Sequence, residues 1–548
     1  MKFGEIPIAE AEGAILAHAI KLDRTVFKKG RVLSADDVAA LVRAGHTAVT
    51  GARLDPGDVP EDKAAATIAA AITGPNLTRS AAFTGRCNLF AAVPGVAVID
   101  VERLDRLNLL DEAITLATLP AYARVEPRQM VATVKIIPFA APAEALAAAL
   151  KVAEDGGPMV RIAAFRPKRV GLIQSRLAGT KDSVLAGTVA TTRARVTALG
   201  SELVADEVVD HTEAAIQQAV ARQRERGCDP ILVLGASAIV DRRDAIPAAI
   251  IANGGEVLHF GMPVDPGNLL LLGKIGETNV IGLPGCARSP KLNGFDWVLQ
   301  RLLADVPVTR KDIMQLGAGG LLMEIATRPL PRGDASPAPA AAVPRAPKIA
   351  AVVMAAGRSS RMAPANKLLT DVDGRLMVQR AVDAALASQA RPIVVVTGHD
   401  GNRVREALAG RPVEFVENPD FAAGLSTSVR AGLAWLAGKD IDGAVFMLGD
   451  MPLVTAPHID RLIAAFSPAE GRAICVPTHK GKRGNPVLWA ARFFSEMRAL
   501  EGDKGARPLF REHADQVCEV EMPDDGVLVD IDTPEALAAL RRPQQLSA

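Results

Sequence analysis

The segment AAGRSSRMAPANK, Ala355 to Lys367, combines residue types that handle phosphate. It closes a run with the pattern of a buried strand, IAAVVMAAG (349–357). A strand that opens through a glycine into a helix presents backbone N–H groups and the positive helix end to phosphate oxygens. Gly357 is expected to supply that turn, and Arg361 and Lys367 add two cations to the same loop. Ala355, Ala356, Gly357, Ser359, Arg361 and Lys367 are therefore candidate nucleotide-binding residues. No GK[ST] follows, which excludes a P-loop, and no GxGxxG is present there to mark a dinucleotide fold.

A second carboxylate chemistry stands further along. LGDMPLV (448–454) ends an apolar run in Asp450, and Pro452 stops the strand from continuing. An isolated strand-end carboxylate suits Mg²⁺, which takes one or two protein carboxylates and completes its octahedron with water and phosphate oxygens. Asp532 in VDIDTPEAL is the candidate second ligand, although Asp-Thr-Pro-Glu reads equally as a helix N-cap with proline in the first turn. Asp450, Lys367 and Arg361 make the catalytic set.

Mid-chain, LGASAIVDRRD (234–244) places Ser237, Asp241 and Asp244 on a loop that enters a helix, suited to an anionic or metal-bound ligand. GLPGCARSP (282–290), with Pro284 and Gly285, follows another apolar run and is expected to face the first loop across a sheet edge. Each loop alone is also ordinary turn chemistry.

Three elements of organisation must position these loops. From 348 to 548, apolar runs at 349–357, 392–398, 413–418 and 443–450 alternate with amphipathic helices near 378–388, 402–409 and 427–437. Short apolar runs separated by helices predict a parallel sheet covered on both faces, a doubly wound α/β domain that binds ligands at the carboxyl ends of its strands. Residues 166–327 repeat the rhythm, with strands expected at 168–175, 201–210, 229–237 and 278–285, a helical segment after Gly187 and helices from His211 and after Arg243. Residues 1–165 mix short strands and Ala-rich helices, an α+β region. Between 328 and 347 the sequence RPLPRGDASPAPAAAVPRAP, with six prolines and six alanines, reads as an extended, semi-rigid linker. The fold class expected is α/β, two doubly wound domains preceded by the α+β region.

Composition excludes other classes. With 548 residues, 49% hydrophobic and 23% charged, the chain is neither disordered nor a single core. Basic and acidic side chains balance at 63 to 62, and aromatics are 3%, against a general nucleic-acid binder. The five cysteines are scattered and suit a reduced cytoplasm, while Glu5, Glu10 and Glu12 interrupt any N-terminal signal segment. No apolar stretch of membrane-spanning length appears in the sequence.

The C-terminal motifs AAGRSSRM with NK, GLSTSVRAGL (424–433), GDMPLV, GKRGNPVL (481–488), GDKGAR (502–507) and DIDTPEAL (530–537) together resemble the molybdenum cofactor nucleotidyltransferases. The Ala-Ala-Gly start resembles the cytidylyltransferases, where the guanylyltransferases usually carry Ala-Gly-Gly. The resemblance implies transfer of CMP from CTP to molybdopterin, preferably Mo-loaded, with release of pyrophosphate. Asp450 would hold Mg²⁺, Lys367 and Arg361 would neutralise phosphate charge, Ser426 and Ser428 would contact the nucleotide, and Arg483, Asn485 and Asp503 would face the pterin. Those last five residues also read as turn and capping residues. The alternatives are a guanylyltransferase for the same cofactor, or a sugar-phosphate or isoprenoid-precursor cytidylyltransferase with an N-terminal binding module.

The order of GMPVDPGNLLLLG (261–273) and the two mid-chain loops resembles the molybdopterin-binding domain of molybdopterin adenylyltransferases and molybdotransferases. Residues 1–50, including VFKKGRVLSADDVAALVRAGH (26–46), resemble the first part of a molybdotransferase. Ala236 stands where those families carry the second glycine of Gly-Gly-x-Ser, and Cys286-Ala287 where they carry Asn-Pro. The first 325 residues thus read as an enzyme that prepares or loads molybdopterin, or as a module that binds and delivers it. The binding role is preferred, because the loops are degenerate while the order of the fold is kept. The chain would then be a fusion serving molybdenum hydroxylase clients, with no nucleic-acid or membrane partner.

Overall fold

Alanine and isoleucine share one face of EDKAAATIAAAI, and the segment forms helix Glu61–Ile72 with Ala64, Ala65, Ile68, Ala69 and Ile72 buried. In the computed structural model, which describes residues 1–22, 26–322, 345–357, 366–500, 506 and 508–531, this helix covers an antiparallel sheet ordered 114–118, 130–136, 86–91, 77–79. Cys87, Leu89, Val131 and Val134 of the sheet join the helix in one apolar cluster. A smaller sheet, Lys2–Pro7 and Ile15–Leu16 on either side of Ala48–Arg53, precedes it. The linker expected at 328–347 lies outside the described residues apart from 345–347. No described helix is long and apolar enough to cross a membrane.

Glu61 opens that helix, and burial pushes its carboxyl up to about 7, with Lys135, 4.0 Å away, pulling it back down. The folded protein therefore keeps a proton between the ordinary value of 4.5 and about 7 that the unfolded chain has lost. Stability must fall as pH rises through that window and level off above it. Glu61→Gln is expected to remove the slope and to melt a few degrees above the parent at pH 8. Thermal unfolding at pH 5 and pH 8 checks this; equal pH dependence in both proteins would contradict it.

The middle sheet is ordered 202–210, 169–176, 231–234, 278–283, 271–275, 256–260. The first four strands are parallel, and the last two run antiparallel to their neighbours. The sequence pattern did not separate 256–260 and 271–275 as strands. Ile275 and Thr278 are paired across Gly276-Glu277, with Gly276 at φ 58°, a two-residue turn that only an antiparallel pair can use. Helices Asp182–Thr197, Glu213–Glu225 and Ala245–Ala252 flank the sheet. The first begins before Gly187, and the second begins after Thr212, whose side chain caps it, so His211 stays in the loop.

Between 349 and 450 the expected strands and helices form within two residues of their expected ends. Among the described residues they belong to an eight-stranded sheet ordered 414–417, 393–397, 349–355, 443–448, 487–490, 474–479, 482–483, with 517–521 also paired to 474–479. The first four strands are parallel. Strand 487–490 runs antiparallel to both neighbours, so the sheet is mixed rather than wholly parallel. The reversal begins at Lys480 and Gly481, whose φ values of 49° and 74° suit a type I′ hairpin turn. Ala350 to Val353, Val394 to Val396 and Ala444 to Val445 are fully buried, which gives this α/β fold its continuous apolar strands.

Candidate functional site

Strands 349–355, 393–397 and 443–448 are parallel neighbours, so their carboxyl ends share one edge. Ala355, Ala356 and Gly357 leave the first strand there, Gly398 the second, and Gly449 and Asp450 the third. A Cβ at Gly398 would come within 2.8 Å of both Ala356 and Phe421, so the loops pack too closely for any side chain. Gly357 differs from expectation. Its φ lies outside the left-handed region, and among the described residues a Cβ there would meet nothing within 4 Å.

Asn366 and Lys367 enter a short 3-10 turn, Lys367–Leu369, where the Asn366 side chain accepts from the Leu368 N–H at 3.0 Å. The turn carries Lys367 Nζ to 2.5 Å from Asp450 Oδ2, across 83 residues of sequence. Both side chains are shielded, at 14% and 18% exposure. The other Asp450 oxygen, Oδ1, is buried and has no hydrogen-bond partner among the described residues. The Asp450 carbonyl accepts from the Ile531 N–H at 3.1 Å, which fixes the loop from the far side. A buried carboxylate oxygen left unpaired beside an ammonium group has the donor chemistry of a hard divalent cation.

Helix Leu425–Leu436 starts at the end of the neighbouring strand with no side-chain cap, and Gly424 before it has φ 112°. Ser426 at this end is buried, and among the described residues its hydroxyl has no hydrogen-bond partner. Ser428 is instead engaged: Asn418 Nδ2 donates to its hydroxyl at 3.0 Å and to Thr427 at 2.9 Å. Asn418, 2% exposed, organises this corner and was not singled out in the sequence, where a lone asparagine before a turn carries no signal.

Arg483 and Asn485 border a cavity of about 590 Å³ whose walls include Met354, Leu448, Leu425, Trp489 and Phe510. The Arg483 guanidinium donates to Glu519 at 2.8 Å and lies 5.8 Å from the Phe510 ring. Arg511, absent from the candidate residues, also lines this cavity. Ser359, Arg361, Asp503 and Asp532 lie outside the described residues.

In the middle sheet, strands 231–234 and 278–283 are parallel neighbours, which brings the Ser237 loop and Pro284–Gly285 to the same edge. Arg288 spans them, donating to Thr188 at 2.8 Å and to the Gly235 carbonyl at 3.5 Å. Ser237 lies 2.9 Å from His211 Nε2, and Ser175 lies 2.8 Å from Nδ1 of the same ring. Asp244 caps the following helix through the Ala245 N–H. Asp241 accepts from Arg243, which holds its carboxyl below the ordinary value. His211, Ser175 and Arg288 were missed because strand and helix pattern carries no trace of which loops meet.

Residues 351–517 match the MobA-like NTP transferase domain family, and residues 5–53 match a domain of unknown function, DUF8806. The molybdenum cofactor cytidylyltransferase of Escherichia coli strain K12 is 30% identical over 187 residues, spanning 34% of this chain and 91% of that protein. The chain belongs to the MobA-like NTP transferases. The purine catabolism protein PucB of Bacillus subtilis is 27% identical over 215 residues, covering 36% of this chain and 98% of that protein. A solved nucleotidyl transferase from Methanothermobacter thermautotroptrophicus is 27% identical over 35% of this chain and 96% of its own, at a TM-score of 0.32. The MobA-like part is thus a nucleotidyltransferase domain, and it holds the Lys367–Asp450 pair.

Proposed function

We propose that the chain is a molybdenum cofactor cytidylyltransferase, moving CMP from CTP to molybdopterin. The observation that carries the reading is the strand-edge pair in which Lys367 holds one Asp450 oxygen and the other is buried with no partner among the described residues. The 30% identity across 91% of a curated molybdenum cofactor cytidylyltransferase supports the substrate class. A terminal phosphate oxygen of molybdopterin attacks the α-phosphorus of CTP, and the bond to the β-phosphate oxygen breaks to release pyrophosphate. No side chain is consumed, so positioning and charge compensation supply the catalysis.

Asp450, with Asp532 as the second candidate, would hold Mg²⁺, which when bound would offset charge on the nucleotide phosphates. Lys367, together with Arg361, balances the charge that moves onto the departing pyrophosphate. Gly357 would let phosphate approach the backbone, with Ala355, Ala356 and Ser359 assigned to the same sequence segment. Ser426 offers its hydroxyl to the nucleotide, and Ser428 is held at the same helix end through Asn418. The cavity beside Arg483 and Asn485 has aromatic walls and cations suited to a flat acceptor with a phosphate tail, and Asp503 is assigned to the same side.

Incubation with Mg²⁺, CTP or GTP, and molybdopterin or sugar phosphates tests the assignment. Pyrophosphate is expected only from CTP with molybdopterin; release with a sugar phosphate, or with GTP alone, would redirect it.

The N-terminal half is proposed to capture molybdopterin at the edge carrying Ser237, Asp241, Asp244, Pro284 and Gly285, and to deliver it to the transferase. Covalent linkage raises effective concentration without new contacts. Cleaving the chain between 328 and 347 should raise KM for molybdopterin by roughly 10-fold or more while kcat is retained. Steady-state kinetics of the cleaved and intact proteins check this, and identical values would remove the delivery role.

A further inference from the structure

A cavity of about 1710 Å³ separates the sheet of strands 77–79, 86–91 and 130–136 from the transferase part. On the transferase side it is bordered by Ile349, Ile393 and Glu414, the first residues of three parallel strands. It therefore lies at the opposite edge from Lys367 and Asp450, roughly 20 Å away along strands rising about 3.3 Å per residue. Eight Lys or Arg line it against three Asp or Glu, and four of the eight pair with carboxylates: Lys135 with Glu61, Arg345 with Asp442, Lys348 with Asp440 and Arg472 with Glu470.

Each acid is already engaged: Asp440 by Lys348, Glu470 by Arg472, and Glu414 by the Trp435 indole at 3.1 Å. Among the described residues, the Arg79 and Arg86 guanidinium groups have neither a carboxylate nor a hydrogen-bond acceptor. Lys135 stands opposite Arg86 on the neighbouring strand; burial lowers its pKa and the nearby Glu61 carboxylate raises it. Phe83 and Phe466 also border the space; Phe466 belongs to the transferase core and the Arg472 guanidinium lies 5.8 Å from the Phe83 ring. Arg79 and Arg86 are both exposed on the N-terminal sheet, where a multivalent anion would supply the missing counter-charge.

We propose that this cavity is a second nucleotide site, distinct from the transfer site, which takes a nucleoside di- or triphosphate and ties the N-terminal sheet to the transferase when filled. The end of the linker borders the same space. Ala346 donates to the Arg128 carbonyl at 2.9 Å, and the Arg128 side chain returns a bond to the Ala346 carbonyl. Arg345 continues to Asp442 at 3.0 Å. A ligand spanning Arg86 and the linker end would fix where the transferase sits.

The test is calorimetric titration of full-length protein carrying Lys367→Ala, which weakens the transfer site, with ATP and separately with tripolyphosphate. One ATP per chain is expected to bind. Adding Arg79→Glu and Arg86→Glu should weaken ATP by roughly 10-fold or more, and Arg79→Gln with Arg86→Gln should weaken it less while preserving the melting temperature. In the Lys367 background-free protein, the arginine substitutions should leave basal pyrophosphate release from CTP unchanged. ATP affinity unaltered by both arginine pairs would overturn the proposal, as would tighter binding of a single-stranded oligonucleotide than of ATP. Failure of the cytidylyltransferase reading would appear separately, as absent pyrophosphate release in the parent protein.

Discussion

Asp450→Ala is expected to lower Mg²⁺-dependent pyrophosphate release from CTP by about 10²- to 10³-fold, the range seen when one preorganised charge-stabilising group is lost from an active site. Two effects combine. The carboxylate whose Oδ1 is buried and unpartnered disappears, and Lys367 loses the 2.5 Å contact that sets its ammonium at the strand edge. The loop itself is held by backbone bonds, Gly449 to the Met354 carbonyl at 3.0 Å and Ile531 to the Asp450 carbonyl at 3.1 Å, so folding should survive. Rates measured with saturating CTP, beside a melting curve, separate chemistry from stability. Full activity in the alanine variant would remove Asp450 from the mechanism.

Trp489→Ala should destabilise the transferase part by about 3–5 kcal/mol, the usual range for deleting a buried aromatic side chain. Trp489 is 2% exposed in the reversed strand. It stacks on Phe510 with centroids 5.2 Å apart and an interplanar angle of 10°, and meets Phe493 edge-on at 6.1 Å. Its removal opens the cavity beside Arg483 and Asn485 into the core, and partial collapse around Phe510 would deform the proposed acceptor wall. Urea unfolding followed by circular dichroism gives the loss. A midpoint equal to that of the parent protein would contradict the packing argument.

The parallel half of each large sheet was legible because buried strands such as IAAVVMA and IVVVT are continuous apolar runs, and the intervening helices carry their own period. Strand direction was not. An apolar run encodes burial and is silent on whether its neighbour runs with or against it; the sign is set by turns such as Lys480-Gly481. The same division holds at the site. Lys367 and Asp450 stood out by residue type at strand ends, yet their contact arises only when two parallel strands bring loops together. Asn418, Ser175 and His211 are single polar residues in loops, and their roles come from neighbours distant in sequence. Arg79 and Arg86 look like solvated strand residues until a second unit faces them.

The reversed strand also dictates an order of assembly. Gly443 pairs with Ala490 and Ile474 with Trp489, so 487–490 is the last of the three strands to leave the ribosome and fills the slot between the other two. Until it is made, 443–448 and 474–479 each expose an apolar edge with unpaired backbone groups. Closing this sheet is a non-local step that helix formation cannot hasten. A released chain that ended just short of Val487 would carry two sticky edges, the form of this protein that most needs a chaperone.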